Sequence, residues 1–99
     1  MISVKVHKSY REVIAVCDEN LLGRKLQDGK RELDISENFF KGELMDEENV
    51  SSEIACGVRE DATFNIVGEN SVRIAKEMGI IDDNGIMEIE GVPFSLVLL

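Results

Sequence analysis

His7 and Cys17 are side chains of types that together do covalent chemistry, because an imidazole that takes the thiol proton leaves a thiolate able to attack an acyl carbon. Their spacing dissolves the pair. With a turn at Ser9-Tyr10-Arg11, His7 stands opposite Val13, four residues from Cys17 along a strand, so the two side chains are on the order of 13 Å apart. Cys17 then reads as a packed thiol and His7 as a surface residue, and Cys56, one residue before Gly57, reads as a small buried thiol near a helix end. Neither cysteine is expected to be catalytic.

Val67-Gly68-Glu69-Asn70-Ser71 has the beginning of a phosphate site, since free N–H groups at a helix start attract anions and glycine permits close approach. Further glycines and a Lys-Ser or Lys-Thr pair are missing, and Glu69 already supplies the negative charge that the helix start favours, so capping is the better reading. Asp82-Asp83-Asn84-Gly85 lacks the alternating oxygen ligands and closing Glu of a calcium loop, and reads as a turn. Glu47, Glu48, Glu88 and Glu90 have no acid–base partner and read as solvated faces. One histidine and two distant cysteines make no zinc site or disulfide framework. No metal or cofactor is expected.

The cations are distributed more pointedly. The 99-residue chain has a formal charge of -9, which argues against DNA or an anionic membrane as partner. Residues 1–31 nevertheless carry +3 and residues 32–99 carry -12. Lys5, Lys8, Arg11, Arg24, Lys25, Lys30 and Arg31, with Tyr10 beside them, are expected to converge over one end of the molecule, away from the helices. An aromatic ring among cations is what single-stranded RNA binding uses.

These residues need elements to hold them. Ile2 to Lys8 alternates apolar and polar, and Val13 to Cys17 is a short apolar run, so the two form a hairpin. Pairing Val4 with Val16 and Val6 with Ile14 gathers the apolar side chains on one buried face, whereas a slip by one residue splits them. The other face, with Lys5, His7, Val13, Ala15 and Cys17, is mixed and expected to be half covered. Asp18 caps a short helical turn stopped by Gly23 and Gly29, Arg31 to Ser36 is a short strand, and Asn38 to Gly42 is turn-rich. Asp46 caps a helix with Val50, Ile54, Ala55 and Val58 inward and its end weakened by Gly57. Ala62 to Val67 is a strand, and Gly68 leads into a helix ending near Met78 and stopped by Gly79. Ile86 to Glu90 and Phe94 to Leu99 are strands, the second either buried or an exposed edge. The order β-β-β-α-β-α-β-β is that of an α+β fold: one domain over residues 1–99, a mostly antiparallel sheet carrying two helices. No apolar run approaches the ~18 residues that span a bilayer, so a soluble, cytoplasmic protein is expected.

Val4-Lys5-Val6-His7, Ala15-Val16-Cys17-Asp18-Glu19, Leu21-Leu22-Gly23-Arg24, Phe39-Phe40-Lys41-Gly42-Glu43-Leu44, Asn65-Ile66-Val67-Gly68-Glu69 and Gly91-Val92-Pro93 follow one another in an order that resembles a small archaeal family, domain of unknown function number 424. The resemblance implies a stand-alone archaeal protein linked to translation or RNA metabolism, and supplies no catalytic residue.

The first expectation for function is a non-enzymatic module that contacts RNA or a translation-associated protein through Lys5, Lys8, Tyr10, Arg11, Arg24, Lys25, Lys30 and Arg31. The alternative is a small enzyme or metabolite-binding domain with a pocket near Cys17 and the Gly68 helix start. Oligomeric state is not legible.

Overall fold

The computed structural model describes residues 1–98. The alternating N-terminal stretch forms β1 (Ile2–His7) and β2 (Val13–Asp18), antiparallel, with Val4 opposite Val16 and Val6 opposite Ile14 as the apolar pattern requires. A single 3₁₀ turn, Glu19–Leu21, leads to a small hairpin of β3 (Lys25–Asp28) and β4 (Arg31–Asp34). A four-residue helix α1 (Glu37–Phe40), capped by Ser36, precedes β5 (Glu43–Met45). Then come α2 (Glu47–Arg59), β6 (Thr63–Val67), α3 (Glu69–Glu77), a 3₁₀ turn Asp83–Gly85, β7 (Met87–Ile89) and β8 (Val92–Val97).

The fold is α+β. Six strands form one mixed sheet in the order β5-β1-β2-β6-β8-β7, and β2 with β6 is its one parallel pair. Two strands exceed the sequence expectation. β3 buries Leu26 alone, and β5 is a three-residue edge strand, so neither has enough alternation to stand out in a polar stretch. The apolar C-terminal run is flanked by both β6 and β7 at Phe94, and Leu99 lies outside the described residues.

Side chains of β1, β2 and β6 alternate between two apolar clusters. On the first face Val4, Ile14, Val16, Phe64 and Ile66 meet Val50 and Ile54 of α2 and Val72 and Ala75 of α3. Each fully buried side chain of this size contributes about 1.5–3 kcal/mol before conformational entropy is charged against it. Asp46 caps α2 as its sequence indicates, accepting from the Asn49 N–H at 2.9 Å. Gly57 does more than weaken that helix. A Cβ there would lie 2.5 Å from Ile14 Cδ1 and 2.8 Å from Phe64 Cζ, so its missing side chain lets α2 approach the sheet, while the expected inward residue Val58 is exposed.

The second face is half covered, as its mixed composition leads one to expect, and the cover is gathered at one end. One end is fully closed: Ala15, Cys17 and Val67 are buried under Leu21 of the first 3₁₀ turn, Leu26 of the small hairpin, Ile35 just after it and Phe40 of α1. Toward the other end Val13, Thr63 and Asn65 are half-buried and Leu96 is 53% exposed. Among the described residues no helix is long and apolar enough to cross a membrane.

Candidate nucleic-acid interface

The turn between β1 and β2 is built to hold its tip outward. Lys8 and Glu12 close it with an ion pair at 2.6 Å, which raises the lysine's pKa, and the Ser9 hydroxyl donates to the Arg11 carbonyl at 2.5 Å. Arg11 Nε donates to the Asp61 carbonyl at 2.7 Å, tying the turn to the loop before β6. Tyr10 sits at the apex with a relative exposure of 108%, beyond that of an isolated reference residue. The only tyrosine of the chain therefore presents both ring faces to solvent beside two cations, at the margin of the open end of the second face.

The other candidate cations are elsewhere. Lys5 projects from the second face of β1, but its ammonium donates to the Asn38 carbonyl at 2.5 Å. His7 Nε2 lies 2.8 Å from the Phe39 carbonyl and its ring stacks on Phe39 at 4.6 Å. With the Ser3 hydroxyl donating to the Phe40 carbonyl at 2.9 Å, this row of β1 side chains anchors α1 to the sheet. Lys25 pairs with Glu32 at 3.9 Å, and Arg31 pairs with Asp28 at 2.8 Å and also reaches the Glu88 carbonyl. Lys30 stands in the exposed turn between β3 and β4, whose hairpin lies against β7. Arg24 sits at the far end of β2, beside Asp18. Six extended residues separate that end from the tip, roughly 20 Å. The chain therefore groups Lys8, Tyr10 and Arg11 at one end and distributes Lys5, Arg24, Lys25, Lys30 and Arg31 over three other places.

Sequence reasoning did not reveal the role of Asp18. It does not cap the turn that follows it. Its carboxylate, 5% exposed, instead accepts from the Asn70 and Ser71 N–H groups at 3.0 and 2.9 Å and from the Ser71 hydroxyl at 2.7 Å. An internal carboxylate thus occupies the helix start that resembled a phosphate site, and Gly68, at φ 109°, is the only residue type that fits, because a Cβ would meet Asp18 Cγ at 2.4 Å. The partner lies 53 residues away in the chain, so no local pattern announces it.

Of the two thiols, Cys17 is packed as its sequence context indicates and Cys56 departs from the expectation. Cys17 is fully buried, its Sγ donates to the Asp18 carbonyl at 3.2 Å, and burial, helped by the Asp18 charge, pushes its pKa up to about 12. Such a thiol stays protonated and is a poor nucleophile. Cys56 is exposed, contrary to the expected burial: it borders an open recess beside Lys8 and Glu12, and it is its neighbour Gly57 that packs on the sheet. Among the described residues no three of His, Cys, Asp and Glu are grouped to hold a metal ion.

Residues 7–99 match the model of a family described as "Protein of unknown function (DUF424)". The structure is similar to a crystal structure of an uncharacterized conserved protein from Methanopyrus kandleri, with 29% identity and a TM-score of 0.86 over 97% of this chain and 89% of that one. No curated protein matches the sequence.

Proposed function

The chain belongs to the DUF424 family, and from its geometry we propose that it is a binding module for single-stranded RNA, contacted through the β1–β2 tip and the neighbouring open end of the sheet. The observation that carries the reading is Tyr10, an aromatic ring wholly in solvent, with Lys8 and Arg11 two and one residues away. The ring buries no area within the fold, whereas stacking on a nucleic-acid base would be worth about 1–3 kcal/mol. Beside it the half-buried Val13, Thr63 and Asn65 and the exposed Leu96 offer a shallow surface of mixed polarity on which unstacked nucleotides can lie. The overall charge of -9 keeps the contact small and makes it depend on a few cations. Action in the cytoplasm, on RNA or ribonucleoprotein, fits this reading, as does the family resemblance.

The test is fluorescence anisotropy with a labelled single-stranded pyrimidine RNA over a range of salt. Tyr10→Ala is expected to weaken binding by the stacking increment. Lys8→Ala with Arg11→Ala is expected to flatten the logarithmic salt slope by about 0.7 per lost phosphate contact. A wild-type slope near zero, or a Tyr10→Ala variant that binds as well as the parent, overturns the proposal. Material recovered from lysate that survives ribonuclease treatment speaks instead for a protein partner.

A further inference from the structure

At the opposite end of the sheet from the tip, a cavity of about 260 Å³ opens at the carboxyl ends of the two parallel strands, β2 and β6. This is where sheets with parallel strands and following helices usually hold small ligands, and the volume falls just below the usual span for such sites (~300–1,000 Å³), which suits only a small molecule. Its lining mixes the apolar Leu21, Val92 and Pro93 with three charged groups, Asp18, Arg24 and Glu69.

The three charges are not equivalent. Asp18 is spent: Oδ1 accepts from the Ser71 N–H and hydroxyl, and Oδ2 from the Asn70 N–H and, at 3.4 Å, the Asn70 side-chain amide. It also fills the positive end of α3, so the helix start offers nothing to a phosphate. Arg24 and Glu69 remain. Both are exposed, both line the cavity, and among the described residues neither has an ion-pair or side-chain hydrogen-bond partner, the other included. This differs from the small hairpin nearby, where Lys25 and Arg31 both have carboxylate partners within 4 Å.

We propose that this cavity binds a free α-amino acid with a small apolar side chain, its carboxylate on Arg24, its ammonium on Glu69 and its side chain against Leu21, Val92 and Pro93. The charge of the lining supports a zwitterion over a simple anion. A phosphate or dicarboxylate would meet one guanidinium and two carboxylates, whereas a zwitterion gives Arg24 and Glu69 each an opposite charge and leaves Asp18 its four donors. A ligand of this kind satisfies two charges that the fold leaves unpaired in a mostly polar recess with a small apolar wall of Leu21, Val92 and Pro93.

The probe is L-leucine, titrated into ¹⁵N-labelled protein and followed by backbone amide shifts. Saturable shifts confined to Asn20, Arg24, Asn70, Gly91 and Val92 are expected. 4-Methylpentanoate, which lacks the ammonium, and isoamylamine, which lacks the carboxylate, should each bind at least about tenfold more weakly, as should leucine to Arg24→Gln or Glu69→Gln, since one charge-assisted hydrogen bond is commonly worth a factor of ten or more. Both substitutions fall on exposed residues, and unchanged amide shifts outside the cavity verify that each variant is folded. Equal binding of 4-methylpentanoate and leucine, with no effect of Glu69→Gln, would identify a plain anion site and overturn the proposal. An absence of saturable shifts with leucine also overturns it. Neither result bears on RNA binding at the tip.

Discussion

The two faces of the main sheet share the same strands and are finished differently. The first is closed along its length by α2 and α3, and its central side chains, Val16, Phe64 and Ile66, are fully buried. The second is closed at one end by a hairpin and a four-residue helix, and at the other Leu96 is 53% exposed. Because a strand alternates its side chains, each extra burial on one face is independent of what covers the other. The molecule can therefore keep its stability in the helix-covered layer while part of the second face stays available to a partner.

That division implies unequal costs for similar truncations. Phe64→Ala on the closed face is expected to destabilise by about 3–5 kcal/mol, because a fully buried ring packed below Gly57 leaves a cavity that the helix cannot fill. Leu96→Ala on the open end should stay within about 0.5 kcal/mol of the parent. Urea unfolding of the two variants checks this directly, and comparable losses would mean that the second face carries stability the exposure does not reveal.

Asp18→Asn addresses the seam between the faces, where β2 ends against α3. An amide keeps one acceptor oxygen but turns an NH₂ group toward one of the N–H donors that the carboxylate now satisfies. A loss of about 1.5–3 kcal/mol is expected, the usual worth of hydrogen bonds to a charged acceptor. Amide exchange at Asn70 and Ser71 should speed up selectively. A uniform change across the chain would indicate that Asp18 is not a local clamp.

The closed end of the second face has its own signature at high pH. Cys17 keeps its proton up to about pH 12 when folded, whereas in the unfolded chain it ionises near 9. Above pH 9 the unfolded state is the one that releases the proton, so stability is lost as pH rises from about 9 toward 12. The measurement is the difference between wild type and Cys17→Ala, which should have the shallower alkaline decline. Iodoacetamide at neutral pH should modify exposed Cys56 at an ordinary thiol rate and leave Cys17 untouched until the protein unfolds.

The closed face was legible in the sequence and the second face only in part, for a physical reason. Ile2, Val4, Ile14 and Val16 alternate within seventeen residues, and burial punishes any other register, so the pairing could be read locally. The cover of the second face comes from Leu26, Ile35 and Phe40, single apolar residues spaced through a charged segment with no period of its own. The cations misled for a related reason. Charge counts along a chain say how many there are, but β2 carries Arg24 to one end of the sheet and leaves Arg11 at the other, and Lys5 is drawn into anchoring α1. Tyr10 was legible as a candidate because a turn residue between two bases has nowhere else to go.

The smallest structural effect belongs to Tyr10 itself. With a relative exposure of 108%, its ring contributes almost no buried area, so Tyr10→Ala should change the unfolding free energy by less than about 0.5 kcal/mol. The same substitution should cost two to six times that amount in RNA binding if the ring stacks on a base. Phe64→Ala should invert the ratio, costing several kcal/mol of stability while leaving affinity untouched at temperatures where the variant stays folded. Measuring both quantities on both variants therefore separates a residue retained for what it touches inside the molecule from one retained for what it touches outside. A Tyr10 variant that loses stability and affinity in step would place the tip among the structural parts of the fold, and the open end of the sheet would then have to bind without it.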